Sequence, residues 1–342
     1  MLQSPAYLKE LDHYLKQYPM DQFSGKRLLI TGATGLLGSA LVDLLLRFNE
    51  QGGKIKLTLT SRSADKIRAR FPDLGDTEVL SWDVQTALPS MEKPDYILHC
   101  ASPADPVSYS TLPVDTMLTN MLGTNVLLEY TKNQKVSRMI FVSTVEMYGQ
   151  MGDSKEDFDE NYCGTVDHSS ARSGYPAAKR CAEVLCLSYI DQYGVDAVIA
   201  RPCHMFGPTM MENDPRAASS FLKKAVAGEK IVMKSKGDLE RSHCYSLDAA
   251  IALLFLLEKG ECGQAYNIAD PACQMTIAQF AQTAAKTAGQ EVVFELPTEM
   301  ESKGYSTAKR AVLASDKLRG LGWRPLGEGC AIEKTVAFLR GE

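Results

Sequence analysis

The segment Leu28–Gly38 constrains the fold of this 342-residue chain more than any other. An apolar run of strand length ends there at three evenly spaced glycines, and a helical pattern of leucines begins at once. Glycines let the backbone turn sharply and approach a pyrophosphate, and a helix N-terminus offers free N–H groups. This strand–turn–helix order favours a dinucleotide site over an ordinary glycine-rich turn. The residues predicted to form the site are Gly32, Thr34, Gly35, Leu36, Leu37 and Gly38.

Composition limits the class of partner. Charged residues make up 23% of the chain, the net charge is −5 and no basic run stands out, which argues against a nucleic-acid partner. Residues 1–24 lack the apolar core of a signal peptide, and the longest later apolar stretch, 249–257, is too short to span a bilayer. Nine cysteines form neither CxxC pairs nor clusters with histidine. We therefore expect reduced thiols, no metal site, no membrane partner and a cytoplasmic location.

Strands and helices alternate along most of the chain. Apolar periodicity predicts strands at 26–31, 55–60, 79–82, 96–100, 139–143 and 195–200, with helices of crossover length between most of them. This order predicts an α/β fold with a doubly wound parallel sheet of the Rossmann type and a smaller C-terminal lobe. We expect a helical extension at 1–24 and a dinucleotide-binding domain at 25–203, to which 240–268 returns. Residues 204–239 and 269–342 form the predicted substrate-binding lobe.

The end of the second strand bears on the choice of cofactor. An acidic residue there would bind the ribose hydroxyls of NAD, but the chain has Ser61 and Arg62. Arg62 is suited to a 2′-phosphate or to stacking on adenine, and a solvated arginine at a helix start is the alternative. Asp83 and Val84 follow the third strand, where Asp83 reaches adenine or forms a turn. We expect NAD, with NADP kept open.

A second group of residues is suited to proton and hydride chemistry. Tyr175 and Lys179 lie four residues apart and therefore on one face of a helix. A nearby lysine cation stabilises a phenolate, and a bound nicotinamide cation adds to the effect, so Tyr175 becomes a usable base. Ser143 and Thr144 end the fifth strand, where a hydroxyl shares the same substrate proton.

Together, the glycine turn, Thr144 and the Tyr175–Lys179 pair resemble the extended short-chain dehydrogenase/reductases, the nucleotide-sugar epimerases and dehydratases. The resemblance covers roughly residues 25–340. Within that group, the stretches 99–106, 143–149 and 206–216 are similar to UDP-glucuronate decarboxylases.

The resemblance implies roles for individual residues. Thr144 and Tyr175 would handle the 4-hydroxyl of the sugar, and Lys179 would hold the nicotinamide ribose. Glu146 would act at the sugar ring, and Arg216 would lie near the reacting carboxylate. The remaining implied contacts are Ala101 and Ser102 with the cofactor, and Pro103 and Arg241 with the substrate, Arg241 at its diphosphate. A homodimer is also implied, through a four-helix bundle of helices 114–132 and 175–193 and their symmetry mates.

The chain departs from the decarboxylase pattern at several positions. Val145 stands where the pattern has Ser, His204 where it has Asn, and Thr209 where it has Arg. The 4,6-dehydratases carry Asp at position 145 as the acid for the leaving hydroxyl, and valine has no proton to give. We therefore favour decarboxylation of a 4-keto intermediate, with dehydration and epimerisation as alternatives. A simple carbonyl reductase would not need Arg241 and the C-terminal lobe, and a non-catalytic sensor would not need the Tyr–Lys pair.

Overall fold

A seven-stranded parallel sheet forms the centre of the computed structural model, which describes residues 4–150, 156–295 and 310–342. Its strand order is β3-β2-β1-β4-β5-β6-β10, and every neighbouring pair is parallel. This is the doubly wound order, in which the strand sequence reverses between β1 and β4. The strands are β1 Arg27–Thr31, β2 Lys56–Ser61, β3 Glu78–Ser81, β4 Tyr96–His99, β5 Arg138–Val142, β6 Ala197–Pro202 and β10 Ala265–Ile268. The predicted fold class is confirmed.

The remaining strands form two small sheets after residue 203. In one, β9 pairs with β7, β11 and β13; in the other, β8 pairs with β12. These strands are β7 His204–Phe206, β8 Ile231–Met233, β9 Glu240–Tyr245, β11 Gln274–Thr276, β12 Val292–Phe294 and β13 Arg310–Ala311. The division of the chain into domains stays a prediction.

Helices cover both faces of the main sheet. They are α1 Pro5–Gln17, α2 Leu36–Glu50, α3 Ala64–Arg70, α4 Pro106–Thr111, α5 Pro113–Gln134, α6 Gly174–Tyr193, α7 Ala217–Val226, α8 Ser246–Lys259, α9 Ile277–Thr287, α10 Asp316–Gly320 and α11 Ile332–Arg340. Within the described ranges, none of them combines the length and the apolarity needed to cross a bilayer.

Alternation along the strands divides the core in two. Leu28 and Ile30 point to the face covered by α2 and α8, whereas Leu29 points to the face covered by α5 and α6. Because successive side chains of a strand lie on opposite faces, both faces of a fully covered sheet must be apolar. This explains why β1 reads as a continuous hydrophobic run rather than as an alternating one.

Two details differ from the sequence expectations. A separate short helix, α4, precedes α5, because Pro113 starts a new helix after the break at Leu112. Cys273 and Cys330 are joined by a disulfide, with their Cα atoms 4.9 Å apart, so the expectation of nine reduced thiols is wrong for this pair. The two cysteines are 57 residues apart in sequence, and only the packing of the C-terminal turns brings them together.

The N-terminal helix α1 is attached to the main sheet layer by buried tyrosines. Tyr7 donates a hydrogen bond to Asp43 on α2 (3.0 Å), and Tyr14 donates one to Asp248 on α8 (2.9 Å). Burial raises the pKa of Asp43 to about 7 and that of Asp248 to about 6. Each carboxylate therefore depends on its hydrogen-bond donors to offset the cost of desolvation.

Replacing Tyr14 with Phe should lower the free energy of unfolding by about 1–2 kcal/mol, because Asp248 loses a buried donor. The matched control is Tyr18→Phe, since the Tyr18 hydroxyl meets Glu258 in an exposed position; its effect should stay within about 0.5 kcal/mol. Urea denaturation of the three proteins measures the difference. Equal stability of Tyr14→Phe and the wild type would show that the Asp248 contact contributes nothing.

Candidate active site

The glycine turn lies at the carboxyl edge of the sheet, between β1 and α2. Gly32 has φ +68°, and a Cβ there would lie 2.7 Å from the Ala101 nitrogen. A Cβ on Gly38 would lie 2.2 Å from the Gly32 carbonyl oxygen. Both positions therefore require glycine, because the end of β1, the segment after β4 and the first turn of α2 are in direct backbone contact.

Gly35 differs from its two neighbours in the motif. A Cβ on Gly35 would meet only the Gly32 oxygen, at 3.4 Å, so the protein itself leaves room for a side chain. Gly35 is the N-cap of α2, and the N–H groups of the next residues belong to the first helical turn. Such groups have no partner inside the helix and attract phosphate. The open space in front of Gly35 therefore fits the pyrophosphate of a dinucleotide.

The first turn of α2 presents backbone rather than side chains to this space. Leu36 and Leu37 are buried in the core, and Thr34 is half-buried in the turn. Their predicted role at the cofactor can therefore be carried only by main-chain groups at Leu36 and Leu37.

The residues predicted to face adenosine make local contacts. The Ser61 hydroxyl donates to the Ser63 carbonyl, and Asp83 accepts from the Gln85 N–H in a turn. The side chain of Val84 packs against Gly123 of α5, and Arg62 is exposed. Their contacts with a cofactor stay predictions.

The segment after β4 borders the glycine turn. The Ala101 N–H donates to the Thr31 hydroxyl, and the Ser102 hydroxyl lies 2.8 Å from the Asn120 side-chain oxygen. Pro103, the predicted substrate contact, follows directly and is partly buried. These hydrogen bonds hold the segment after β4 against the end of β1 and against α5.

Tyr175 lies at the start of α6 and is 4% exposed. The Thr144 and Tyr109 hydroxyls are close enough to its oxygen to lower its pKa. Burial, followed by the charge of the Glu146 carboxylate, raises the pKa of Tyr175 to about 12 against the opposing effect of these two hydroxyls and of the charge of Arg216. The site therefore contains a buried phenol with two hydroxyl groups beside it.

Lys179 follows Tyr175 by one helical turn but directs its ammonium elsewhere. Its Nζ donates to the Val142 carbonyl (2.7 Å) and lies 4.9 Å from the centre of the Phe141 ring. Burial lowers the pKa of Lys179 to about 7. In this structure the ammonium therefore lies against the end of β5. The expected stabilisation of the phenolate by Lys179 stays a prediction.

The two predicted substrate arginines are mostly buried. Arg216 is held by Asp214, which accepts from its Nε (2.9 Å) and its Nη2 (2.5 Å). Within the described residues, Nη1 of Arg216 makes no hydrogen bond and remains available to a ligand. Burial lowers the pKa of Arg241 to about 10, and the charge of Glu146 acts in the opposite direction.

The structure thus brings Thr144, Glu146, Tyr175, Arg216 and Arg241 within electrostatic reach of one another. Three further residues of this group were missed by the sequence reasoning: Tyr109, Arg172 and Asp214. The first two belong to the short helix α4 and to a three-residue 3-10 helix, which have too few residues to show a periodic pattern. Asp214 could have been found from its place two residues before Arg216.

The departures from the decarboxylase pattern have different surroundings. Val145 is buried, and the Thr209 hydroxyl donates to the Leu36 carbonyl (2.8 Å), so neither supplies a charge to the site. Burial lowers the pKa of His204 well below its usual value, which makes it a neutral imidazole. Its Nδ1 is buried and has no hydrogen-bond partner in the described part of the chain.

Two observations test whether the residues at the glycine turn and at the end of β5 fit NAD. The space in front of Gly35 would be filled by a Cβ, and the buried Ser143 hydroxyl, at the end of β5, has no partner among the described residues. Both are expected where a ligand completes the site. The residues therefore fit the cofactor. In the same ranges, no group of three or more His, Cys, Asp and Glu side chains is suited to a metal ion.

Comparison with known proteins agrees with this geometry. The model of the NAD-dependent epimerase/dehydratase family matches residues 28–269, more than half of the chain. The chain belongs to the NAD-dependent epimerase/dehydratase family. The predictions of the family, of an enzyme and of NAD as cofactor are thereby confirmed.

Several individual members of the family are similar over most of the chain. UDP-glucuronic acid decarboxylase 6 of Arabidopsis thaliana is 31% identical over 93% of this chain and 90% of its own length. UDP-glucuronic acid decarboxylase 1 of Xenopus tropicalis is 30% identical over 96% of this chain and 76% of its own.

Solved structures of the family share the fold. A UDP-glucose 4-epimerase from Thermotoga maritima, crystallised with UDP-glucose, has a TM-score of 0.76 at 20% identity and covers 92% of this chain and 98% of its own. A dTDP-glucose 4,6-dehydratase from Streptomyces venezuelae, with NAD bound, has a TM-score of 0.75 at 21% identity. The match covers 92% of this chain and 97% of the dehydratase.

Gly35→Val should leave the protein folded and weaken NAD binding at least tenfold, about 1.4 kcal/mol, because the side chain would occupy the open space before α2. Calorimetric titration with NAD measures the affinity. Gly320→Val is the control, since no atom lies within 4 Å of its Cβ position and it is remote in sequence from the turn. Unchanged affinity in a folded Gly35→Val protein would contradict the assignment.

Proposed function

We propose that the protein oxidises the 4-hydroxyl of a nucleotide-linked sugar, and that its substrate is UDP-glucuronate, which it decarboxylates. The observation that carries the proposal is the buried Tyr175 phenol close to Glu146 and to Arg216, whose guanidinium is held by Asp214. The curated relatives, which are UDP-glucuronic acid decarboxylases by name, support the same reaction.

In the first step, Tyr175 accepts the proton of the sugar 4-hydroxyl, and Thr144 hydrogen-bonds the same oxygen. When bound, NAD would supply the acceptor for the hydride from carbon four and, in its reduced form, the hydride for the last step. Lys179 would hold the nicotinamide ribose; its Nζ lies at the end of β5, where it donates to the Val142 carbonyl. The cofactor is therefore not consumed over a cycle.

In the second step, the carboxylate at carbon six is β to the new ketone, and carbon dioxide can leave. The electron pair of the broken bond passes to the ketone oxygen as an enolate, and carbon five then takes a proton from water. Arg216 would orient this carboxylate through its available Nη1, while Arg241 would bind the diphosphate. Glu146 would act at the sugar ring. No acid is present at position 145, so a hydroxyl at carbon six would have no donor there for its departure.

Dehydration or epimerisation of a neutral nucleotide sugar is the second candidate. The specific observation in its favour is Glu146, a carboxyl group close enough to raise the pKa of Tyr175 and therefore close to the reacting sugar. It is the first group to consider as an acid or base if carbon six bears a hydroxyl.

Tyr175→Phe should abolish turnover, including reduction of bound cofactor, because the base of the first step is lost. Arg216→Ala should still allow oxidation but stall afterwards, so the near-ultraviolet absorbance of reduced cofactor accumulates after mixing with UDP-glucuronate. Stopped-flow absorbance and product mass separate the two outcomes.

The wild type is the reference in this experiment and should yield carbon dioxide and a pentose nucleotide from UDP-glucuronate. A panel of neutral hexose nucleotides serves as the comparison. Efficient loss of water from one of them, without decarboxylation of UDP-glucuronate, would replace the proposed reaction with dehydration.

We also propose that the protein is a homodimer, as the family resemblance implies, and that it acts in the cytoplasm. Helices α5 and α6 pack together and expose large apolar side chains on their outer faces: Leu118, Leu122, Val184 and Leu187. Such a patch is typical of an interface.

Sedimentation at micromolar concentration should show a dimer of the wild type, and Leu187→Glu should shift it toward the monomer, because the charge would be buried between the helices. Phe294→Glu changes an apolar side chain that is exposed away from α5 and α6 and serves as the control. A wild type that sediments only as a monomer would refute the proposal.

A further inference from the structure

Arg172 touches both of the groups that flank Tyr175. It lies in the 3-10 helix Ala171–Ser173, and its Nη2 is 2.8 Å from Oε2 of Glu146. Its guanidinium carbon lies 4.5 Å from the centre of the Tyr109 ring. The Tyr109 ring in turn stacks on Tyr175, with centroids 4.2 Å apart and planes at 18°. Arg172, Tyr109 and Tyr175 thus form a continuous stack.

The charges that face Tyr175 come from three segments. Glu146, after β5, raises its pKa; Arg216, before α7, lowers it; and the hydroxyl of Tyr109, on α4, also lowers it. On α6 itself, Lys179 follows Tyr175 by one turn and directs its ammonium to the Val142 carbonyl. Glu146 is therefore the one group among these whose charge opposes formation of the phenolate.

Arg172 offsets this opposing charge. Its ion pair with Glu146 is only partly exposed, with 26% and 32% of the two side chains accessible, so solvent screens it incompletely. The pair directs the Glu146 carboxylate toward Arg172 and supplies a compensating positive charge. The charge of the same guanidinium acts to lower the pKa of Tyr109, whose ring is stacked on Tyr175.

The shape of the guanidinium is needed as well as its charge. A planar guanidinium can stack on the Tyr109 ring while one edge meets a carboxylate, whereas an ammonium cannot stack in this way. The Nε of Arg172 is buried without a partner in the described part of the chain, so the side chain is placed by these two contacts and not by a wider network.

We propose that Arg172 is a positioning residue for Tyr175: it neutralises Glu146 through an ion pair and holds Tyr109 stacked on the phenol, so that Tyr175 can lose its proton. The inference rests on the proposed function, in which Tyr175 is the base of hydride transfer. It adds a residue that does not touch the substrate but determines the pH at which the first step runs.

The test uses the NAD-loaded protein in four forms: wild type, Arg172→Met, Arg172→Lys and Arg172→Met with Glu146→Gln. The first readout needs no sugar. Tyrosine labelled with ¹³C at the ring carbon that bears oxygen is titrated by NMR, and the Tyr175 signal is identified by its loss in Tyr175→Phe. The second readout is the pH profile of cofactor reduction in a single turnover with the sugar that reduces the wild type.

Arg172→Met should move the Tyr175 midpoint upward by about one pH unit, because Glu146 then faces the phenol unneutralised. On the acid side of the profile, the rate of cofactor reduction should fall about tenfold, since the phenolate fraction falls in proportion. Removing the charge of Glu146 in the double variant should restore the wild-type midpoint. Arg172→Lys keeps the positive charge but cannot stack on the Tyr109 ring, so its Tyr175 midpoint should lie between those of the wild type and Arg172→Met.

An unchanged midpoint in folded Arg172→Met would overturn the proposal. A shift that Glu146→Gln fails to reverse would do the same, since it would indicate a purely structural role. Arg68→Met, which removes an exposed arginine paired with Asp65, is the control and should match the wild type. If Arg172→Met does not fold, Glu146→Gln alone must lower the midpoint, and an unchanged value there would refute the inference.

The two readouts also separate this inference from the proposed function. If UDP-glucuronate does not reduce the cofactor of the wild type, the proposed substrate is wrong. The sugar-free titration then still decides the role of Arg172.

Discussion

The backbone contact between Gly32 and Gly38 is the constraint on which the rest of the site depends. A Cβ on Gly38 would penetrate the Gly32 carbonyl, so the first turn of α2 can lie directly against the end of β1 only with glycine there. That closeness places the N-terminus of α2 at the reversal point of the sheet, beside the segment that follows β4. The Thr209 hydroxyl, after β7, hydrogen-bonds to the Leu36 carbonyl and so ties the C-terminal region to the same turn.

Burial determines the direction of most pKa shifts in the site. Desolvation is the largest cause of the shifted pKa values of Tyr175, Lys179, His204 and Arg241, and in every case it favours the neutral form. The site counters this with carboxylates placed beside cations, Asp214 with Arg216 and Glu146 with Arg172. These charges remain inside the protein at an acceptable cost because each has a partner.

The sequence predicted the parts of the site that regular structure places. Thr144 follows β5 by two residues and Tyr175 lies in the first turn of α6, so period and strand order were enough to predict that they lie at one edge of the sheet. For Lys179, spacing predicts that the Cα atom lies one turn from Tyr175, but it does not predict the contact of Nζ with the Val142 carbonyl, because a long side chain has several directions open to it. Tyr109 and Arg172 could not be predicted, because their positions follow from packing between short segments. The Cys273–Cys330 pair was missed for the same reason.

The high pKa of Tyr175 has opposite effects on the two steps of the proposed reaction. It slows the first step, because a phenol that holds its proton is a poor base at neutral pH. It assists the second, because after the first step the protonated phenol faces the new ketone, and loss of carbon dioxide places negative charge on that oxygen. A donor already in position stabilises such charge without reorganisation. The neighbouring hydroxyls of Thr144 and Tyr109 lower the pKa of Tyr175 and so favour the phenolate in the first step, and Arg172 acts in the same sense through Glu146. The pKa of Tyr175 must therefore be low enough for the phenolate to form in the first step and high enough for the phenol to remain a donor in the second. The charges on Glu146 and Arg172 help to determine that pKa.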